Sequence, residues 1–272
     1  MYHLLSLWDA AEPNWRESPP LTARLPKHPC NFLPDREWTL LAMHDESVDR
    51  LMHLGGGRFG PIYCLPACRH CRACHPSRID LSRFKLSRSM RRTRNRNKDL
   101  VQKLDRVHLT REKFVLFEKF INARFGTRTD HLATAQERRN FYESWHQTQM
   151  DCTREVTYWK DDQLLAVTTI DVGENGIYSH YCYYDLTVPR RRLGVYTFLQ
   201  EIEMCRERGW SHLYIGFLNM KAKKLRYKEQ FSGLEVLMPE RGWVPFDETK
   251  LADVPPLEEL ESAEPGDDEA VE

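Results

Sequence analysis

Four cysteines have the residue type and the spacing of a metal-binding site. Cys68, Cys71 and Cys74 form a C-x2-C-x2-C run, and Cys30 precedes them in the N-terminal segment. Four thiolates can bind zinc or an iron–sulfur cluster. Histidines near these cysteines are alternative ligands: His28, His70 and His75. The competing interpretation is that the thiols are buried and pack a small subdomain.

A run of cations follows the cysteines directly. Residues 78–98 contain nine Lys or Arg side chains and a single acid, Asp80. Residues 251–272 contain nine Asp or Glu and no Lys or Arg, so the formal net charge of +0 is the sum of two opposite segments. The basic segment is suited to a polyanion such as RNA. The acidic segment is predicted to be disordered.

The eight cysteines and the N-terminal sequence together indicate the cellular compartment. The N-terminal residues lack a basic start followed by an apolar run, and no segment reaches the ~18–20 apolar residues of a membrane span. Clustered thiols in a chain without an export signal indicate a reducing compartment. We therefore expect a cytoplasmic protein that has no membrane partner.

Hydrophobic periodicity predicts the elements that must position these residues. The predicted elements are helices at 47–53, within 89–109, at 111–126 and at 135–150, three strands within 155–185, a helix ending at Gly209 and a strand at 211–218. The order of three strands, a helix and a strand predicts an α+β fold: an N-acetyltransferase-like mixed sheet with helices, plus a small N-terminal Cys-rich subdomain. The expected segments are a loose lead-in at 1–26, the Cys- and Arg-rich subdomain at 27–105, the N-acetyltransferase-like domain at 106–247 and the acidic tail at 248–272.

A basic glycine turn lies between the third strand and the following helix. The segment VPRRRLGVY supplies Arg191 and Gly194 of the R-x-x-G-x-G/A turn that holds a pyrophosphate at a helix N-terminus in acyl-CoA acetyltransferases. Tyr196 stands where the second small residue belongs, and we expect its ring to obstruct the pyrophosphate. This pattern favours an acyltransferase scaffold without coenzyme A as donor. In the alternative interpretation, the turn is a basic loop in which Gly194 serves packing.

Four separated segments together resemble the aminoacyl-tRNA–protein transferases of the N-degron pathway, which comprise arginyl-transferases and bacterial leucyl-transferases. These segments are PCNFLPDRE (29–37), CRHCRACHPSRIDLSRFKLSRSMRRTRNRNKDL (68–100), HYCYYDLTVPRRRLGVYTFLQEI (180–202) and LYIGFLNMKAKKLRYKEQF (213–231). The resemblance covers roughly residues 28–245. The chain departs from the family pattern at Asn219, Ala222 and Leu225.

The resemblance implies an activity and its partners. An aminoacyl group would pass from a charged tRNA to the α-amine of proteins that begin with Asp or Glu, marking them for degradation. Leucine is favoured over arginine because the cysteine–arginine block is closest to the bacterial branch. The reaction requires no cofactor, although the family's arginyl-transferases use N-terminal cysteines for a metal or cluster.

The resemblance also assigns candidate site residues. The candidate catalytic residues are Tyr184, Asp185, Lys224, Tyr227 and Lys228. The candidates for binding the acidic N-terminal residue of the acceptor are Arg78, Arg91 and Arg92. The candidates for binding tRNA are Arg88, Arg94, Arg96, Lys98, Arg190, Arg191, Arg192 and Gly194. Competing interpretations are a turn-forming Asp185, a solvated basic helix face, and an aromatic–lysine strand edge with a structural role.

Two other functions are compatible with parts of the chain. A non-catalytic zinc-knuckle RNA-binding protein would account for residues 64–98 but gives the C-terminal half no role. An N-acetyltransferase-like enzyme that uses acyl-CoA would account for the C-terminal half, and Tyr196 argues against it.

Overall fold

The computed structural model describes residues 21–24, 28–30, 37–38, 40–44, 47–59, 62–68, 71–125, 134–146, 150–219, 221–222, 225–238, 241–247 and 251. The strands in the first part of the chain are β1 (Leu21–Arg24), β2 (His28–Pro29), β3 (Glu37–Trp38), β4 (Leu40–His44), β5 (Gly57–Phe59) and β6 (Ile62–Pro66). Four of them form an antiparallel sheet in the order β1-β4-β6-β5, and β2 pairs with β3. The predicted short helix is confirmed as α1 (Val48–His53).

A larger sheet of eight strands follows. Its strands are β7 (Cys74–Asp80), β8 (Val101–Asp105), β9 (Thr153–Lys160), β10 (Gln163–Val172), β11 (Gly176–Tyr184), β12 (His212–Asn219), β13 (Leu234–Met238) and β14 (Gly242–Pro245). The spatial order is β14-β13-β7-β12-β11-β10-β9-β8. The β11–β12 pair is parallel, and the other neighbours are antiparallel.

Four further helices pack against this sheet. They are α2 (Arg88–Arg96), α3 (Arg111–Phe125), α4 (Ala135–His146) and α5 (Leu193–Glu207). Side chains of β10 pack on both faces: Leu165 lies in the cluster that contains α5, whereas Leu164 and Val167, on either side of a register shift with β9, pack with α3 and α4. Helices therefore cover both faces of β10 and β11.

The sequence patterns explain most of these boundaries. The three predicted strands within 155–185 are confirmed as β9, β10 and β11, and Asp161 makes the β9–β10 turn with a positive φ of 52°. At the next turn the Asp49 carboxylate accepts the N–H groups of Glu174 at 2.7 Å and Asn175 at 2.9 Å. A side chain of α1 thus satisfies backbone donors of the β10–β11 hairpin.

The two strands that the large sheet takes from residues before 106 were not among the predicted elements. β8 lies inside the segment expected to be partly helical, and most of its side chains are exposed because it is an edge strand paired only to β9 among the described strands. β7 lies near the centre of the large sheet, between β12 and β13. The sheet therefore takes strands from both sides of the boundary expected at residues 105 and 106. The segments 1–20 and 252–272 lie outside the described residues.

A buried ionic network joins the two sheets. The Arg58 guanidinium on β5 contacts the Asp171 carboxylate on β10, and both side chains have no exposed surface. The same carboxylate accepts the hydroxyl of Tyr63 at 2.7 Å and that of Thr153 at 2.5 Å. The full set of donors around Asp171 satisfies a charge that would be costly if left unpaired.

The expected fold class is confirmed. The molecule is an α+β protein with an N-acetyltransferase-like mixed sheet, and a small sheet in the N-terminal cysteine-containing region adds to it. Across the described ranges, we find no helix that is both long enough and apolar enough to span a membrane.

Candidate active site

The parallel pair at the centre of the sheet opens into a groove. Registered pairs between β11 and β12 run from Gly176 with His212 to Tyr178 with Tyr214, and the described residues show no later pair between these strands. Residues 179–184 of β11 and 215–219 of β12 therefore diverge. We call the gap between these two segments the splay. Backbone groups on its two edges are available to polar partners.

Lys228 supplies polar partners for one edge of the splay. Its Nζ donates to the carbonyl oxygens of Ile215 at 2.5 Å and Phe217 at 2.6 Å. The intervening Gly216 carbonyl accepts from Ser77 of β7 at 2.6 Å. The register between β12 and β7 shifts at this point and Gly216 has a φ of 70°, so Lys228 supplies donors to carbonyls of an irregular stretch of β12 beside the splay. Lys228 is 4% exposed, so its amine is enclosed at this edge.

The environment of Lys228 changes its protonation. Desolvation lowers the pKa of Lys228 from 10.5 to about 7, against a smaller opposing effect of Cys74. The neutral amine keeps two N–H groups, which are enough for the carbonyls of Ile215 and Phe217, and it gains a lone pair. Lys228 can therefore accept a proton near neutral pH without losing either hydrogen bond.

Two tyrosines lie beside the splay. A Cβ atom on Gly194 would lie 2.9 Å from Cε1 of Tyr184 and 3.1 Å from its hydroxyl, so the Tyr184 ring covers the start of α5. The ring of Tyr227 lies 6.0 Å from that of Phe198. Desolvation raises the pKa of Tyr184 and that of Tyr227, although 37% of the Tyr227 residue is exposed. Both hydroxyls therefore stay protonated at neutral pH and can donate hydrogen bonds.

Polar groups under α5 were not predicted as site residues. Glu201 is fully buried and accepts the Thr168 hydroxyl at 2.9 Å, and desolvation raises the pKa of its carboxyl to about 7. Cys182 lies 3.5 Å from the Thr197 hydroxyl, and desolvation raises its pKa to about 12. The sequence did contain a signal for Glu201, because it is an acidic residue on the otherwise apolar face of helix α5.

The turn before α5 is tied to α2 by its own arginines. Arg191 binds Asp99 through two hydrogen bonds of 2.8 and 2.7 Å. Arg192, with a φ of 51°, contacts Ser89 and donates to Gln230 at 3.0 Å. These two candidate tRNA-binding residues therefore have partners within the chain, and they fix α2 beside the mouth of the splay.

The remaining basic candidates are mostly at the surface. Exposed cations on and just after α2, together with one on the turn before α5, are Arg88, Arg91, Arg92, Arg96, Lys98 and Arg190; Arg94 is half-buried. Arg91 donates to the Leu86 carbonyl at 2.7 Å, and Arg96 contacts the Arg190 carbonyl. Together these side chains form a basic surface, the α2 surface, next to the N-terminus of α5.

Two expectations about individual side chains are corrected by the structure. Tyr196 is buried with its ring 5.7 Å from Tyr158, so it points into the core and does not obstruct the turn. Arg78 is also buried: its Nε donates to Glu235 at 2.6 Å and its guanidinium lies 4.3 Å from the Trp243 ring. Arg78 lies on the paired part of the sheet and does not face the splay.

Other candidates have structural roles or lie beyond the described residues. Asp185 Oδ1 accepts the Thr187 N–H at 2.8 Å and hydroxyl at 2.7 Å, which is the turn-forming alternative. Lys224 lies outside the described residues.

The four cysteines lie close to one another in free-thiol form. Desolvation, together with smaller effects of Cys30, Cys68 and Cys71 and against the hydrogen bond from Asn219 Nδ2 at 3.1 Å, raises the pKa of Cys74 to about 12. Metal ligation needs thiolates. Within the described ranges, no group of three or more His, Cys, Asp or Glu has an arrangement that could hold a metal ion. The zinc or iron–sulfur site stays a prediction.

The order of three antiparallel strands, a helix and a strand parallel to the third is the order expected for an N-acetyltransferase-like fold. Family models described as "Arginine-tRNA-protein transferase", N terminus and C terminus, match residues 28–92 and 112–238. Two relatives named "Aspartate/glutamate leucyltransferase" are each 32% identical: the protein of Hahella chejuensis, over 80% of this chain and 94% of its own length, and that of Nitrosococcus oceani, over 82% and 95%. The chain belongs to the arginine-tRNA-protein transferase family and is an aminoacyltransferase.

Proposed function

We propose that the protein transfers leucine from leucyl-tRNA to the α-amine of proteins whose first residue is Asp or Glu. The names of its relatives support leucine as the group transferred and acidic residues as acceptors. Arginine is the alternative donor that the family description suggests. The observation that carries the proposal is the position of the α2 surface at the mouth of the splay, because a charged tRNA needs both phosphate contacts and a groove for its esterified end.

The reaction needs little covalent chemistry from the enzyme. The α-amine attacks the ester carbonyl, so that a C–N bond forms and the C–O bond to the terminal ribose breaks. The amine loses one proton and the ribose oxygen gains one. An α-amine has a pKa of about 7.7–8.0, so an appreciable fraction is already neutral at neutral pH. Holding the two substrates together can supply about 7–11 kcal/mol of the barrier.

The residues of the splay fit the remaining requirements. Neutral Lys228 accepts the proton that the amine loses. The hydroxyls of Tyr184 and Tyr227, which are protonated at neutral pH, donate to the developing oxyanion and to the leaving ribose oxygen. The exposed cations of the α2 surface contact phosphates of the acceptor stem.

One assay tests the donor and the acceptor together. The purified protein is incubated with peptides that begin with Asp, Glu or Ala and with labelled leucyl-tRNA, arginyl-tRNA or acetyl-CoA. We expect label from leucyl-tRNA on the Asp and Glu peptides only. Label from acetyl-CoA, or tight tRNA binding without any transfer, would overturn the proposal.

A pair of tyrosine variants tests the location of the chemistry. Tyr227→Phe should lower kcat by on the order of 10², the usual effect of removing one oxyanion donor. Tyr214→Phe is the matched control, because Tyr214 lies on the paired part of β12 and its hydroxyl is 3.5 Å from the Arg78 guanidinium. Equal loss of kcat in both variants would place the reaction elsewhere.

A further inference from the structure

Acceptors that begin with Asp or Glu need a cation next to the bound α-amine. A carboxylate that leaves water must meet a positive charge or several donors, and a planar arginine binds it through two hydrogen bonds. The α-amine has to reach the splay, so the cation must lie near Tyr184 and Tyr227. The identity of that cation therefore depends on which basic side chains approach these two rings.

The cations predicted from the sequence do not meet this requirement. Arg78 is buried against Glu235 and Trp243 on the paired part of the sheet. Arg91 and Arg92 lie on the exposed side of α2, and neither contributes to the pKa shift of Tyr184. Lys228 is near the site, but its Nζ binds two backbone carbonyls. A different cation is needed.

Helix α3 brings such a cation to the site. The helix packs across β10 and β11, and the ring of Phe120 lies 5.0 Å from that of Tyr184. Arg124 follows four residues later, so it lies one turn further along the same face of the helix. Its positive charge lowers the pKa of both Tyr184 and Tyr227, against the larger effect of desolvation. Arg124 is therefore near the ends of both tyrosines.

We propose that Arg124 binds the side-chain carboxylate of the acceptor's first residue and so determines the preference for Asp and Glu. This inference rests on the proposed function and names the specificity residue of the same site. The carboxylate lies over the end of α3, the α-amine points into the splay toward Lys228, and the ring of Tyr184 lies between the two positions. Asn and Gln lack the negative charge, so Arg124 discriminates against them.

The test compares substitutions at two positions of α3. Arg124→Gln should raise KM for Asp and Glu peptides about ten- to a hundredfold, the usual effect of losing a hydrogen-bonded charge, with a smaller change in kcat. Arg124→Glu should reverse the preference and favour a peptide that begins with Lys over one that begins with Asp. Lys119→Gln and Lys119→Glu are the controls, because Lys119 is an exposed cation on the same helix. Arg124→Lys keeps the charge and should retain the preference for acidic peptides.

Binding measurements separate this inference from the proposed function. Calorimetry with unlabelled Asp and Asn peptides, without tRNA, gives an affinity ratio for each variant. An unchanged ratio of Asp to Asn affinity in Arg124→Gln would overturn the role of Arg124, while transfer of leucine by the wild-type protein would still uphold the proposed function. A wild-type protein that prefers Asp over Asn, loses that preference in Arg124→Gln and transfers no leucine would support Arg124 and overturn the proposed donor.

Discussion

Replacing Lys228 with methionine should change how the stability of the protein depends on pH. The wild-type amine is enclosed at the edge of the splay, and desolvation lowers its pKa from 10.5 to about 7. Between these two values the unfolded chain binds a proton that the folded chain does not bind. The free energy of unfolding therefore rises with pH across this window, and the full penalty applies below about pH 7.

The size of the effect follows from the shift. Each pH unit within the window contributes about 1.4 kcal/mol, and allowing for partial titration at pH 7 the gain from pH 7 to pH 9 is roughly 2 kcal/mol. Methionine cannot titrate and lacks this gain. It also leaves the carbonyls of Ile215 and Phe217 without their donor, at about 1–3 kcal/mol each. Lys228→Met should thus be less stable than wild type at pH 9, and the difference should shrink toward pH 6.

Urea unfolding followed by circular dichroism between pH 6 and pH 9 measures both curves. Lys221→Met is the matched control, because Lys221 is exposed and its removal should leave the wild-type slope unchanged. Other groups titrate equally in all three proteins, so only the difference between curves is used. Parallel curves for wild type and Lys228→Met would refute the lowered pKa and, with it, the assignment of Lys228 as proton acceptor.

Three further variants test other parts of the structure. Asp171→Asn leaves Arg58 buried without its counter-charge and should lower the free energy of unfolding by about 3–5 kcal/mol in urea titrations; a loss under 1 kcal/mol would contradict the network. Replacing Arg88 and Arg92 together with Gln should reduce the slope of log affinity for tRNA against log salt by roughly 1–2 without lowering Tm, and an unchanged slope would remove them from the interface. Gly194→Val places a carbon 2.9 Å from the ring of Tyr184, so the ring must move and single-turnover rates should fall about a hundredfold. A wild-type rate would show that the position of this ring is unimportant.

Local patterns were sufficient to predict much of the C-terminal half. The apolar runs of β9 to β11 and the polar turns between them specify three antiparallel strands, and Asp161 adopts the left-handed conformation at the first turn. The direction of Tyr196 was also readable: it lies three residues after Leu193 and three before Leu199, on the apolar face of α5. The prediction that the Tyr196 ring obstructs the turn came from matching one position to the R-x-x-G-x-G/A motif. It did not consider which face of the helix that position occupies.

Long-range pairing could not be read from the sequence. Arg78 has the appearance of a free cation in a basic run, yet it is buried because β7 enters the centre of the sheet and places it beside Glu235, 157 residues later. The nearness of Arg124 to Tyr184 likewise depends on where α3 packs. In both cases the role of an arginine is decided by partners that no local pattern contains.

The opening of the β11–β12 pair explains why a proton acceptor is present at the splay, and this gives a last prediction. Opening a parallel pair leaves carbonyls of β12 unpaired, a buried amine satisfies them, and burial lowers its pKa to the range in which it can take a proton. Arginine can donate to both carbonyls but keeps its proton at any accessible pH. Lys228→Arg should therefore retain a cooperative thermal transition. Its transfer rate should be lower than that of the wild type throughout pH 6–9, and the difference should be largest at the upper end, where wild-type Lys228 is neutral. A wild-type rate in Lys228→Arg would mean that the lysine only holds the strand open and that the proton leaves by another route.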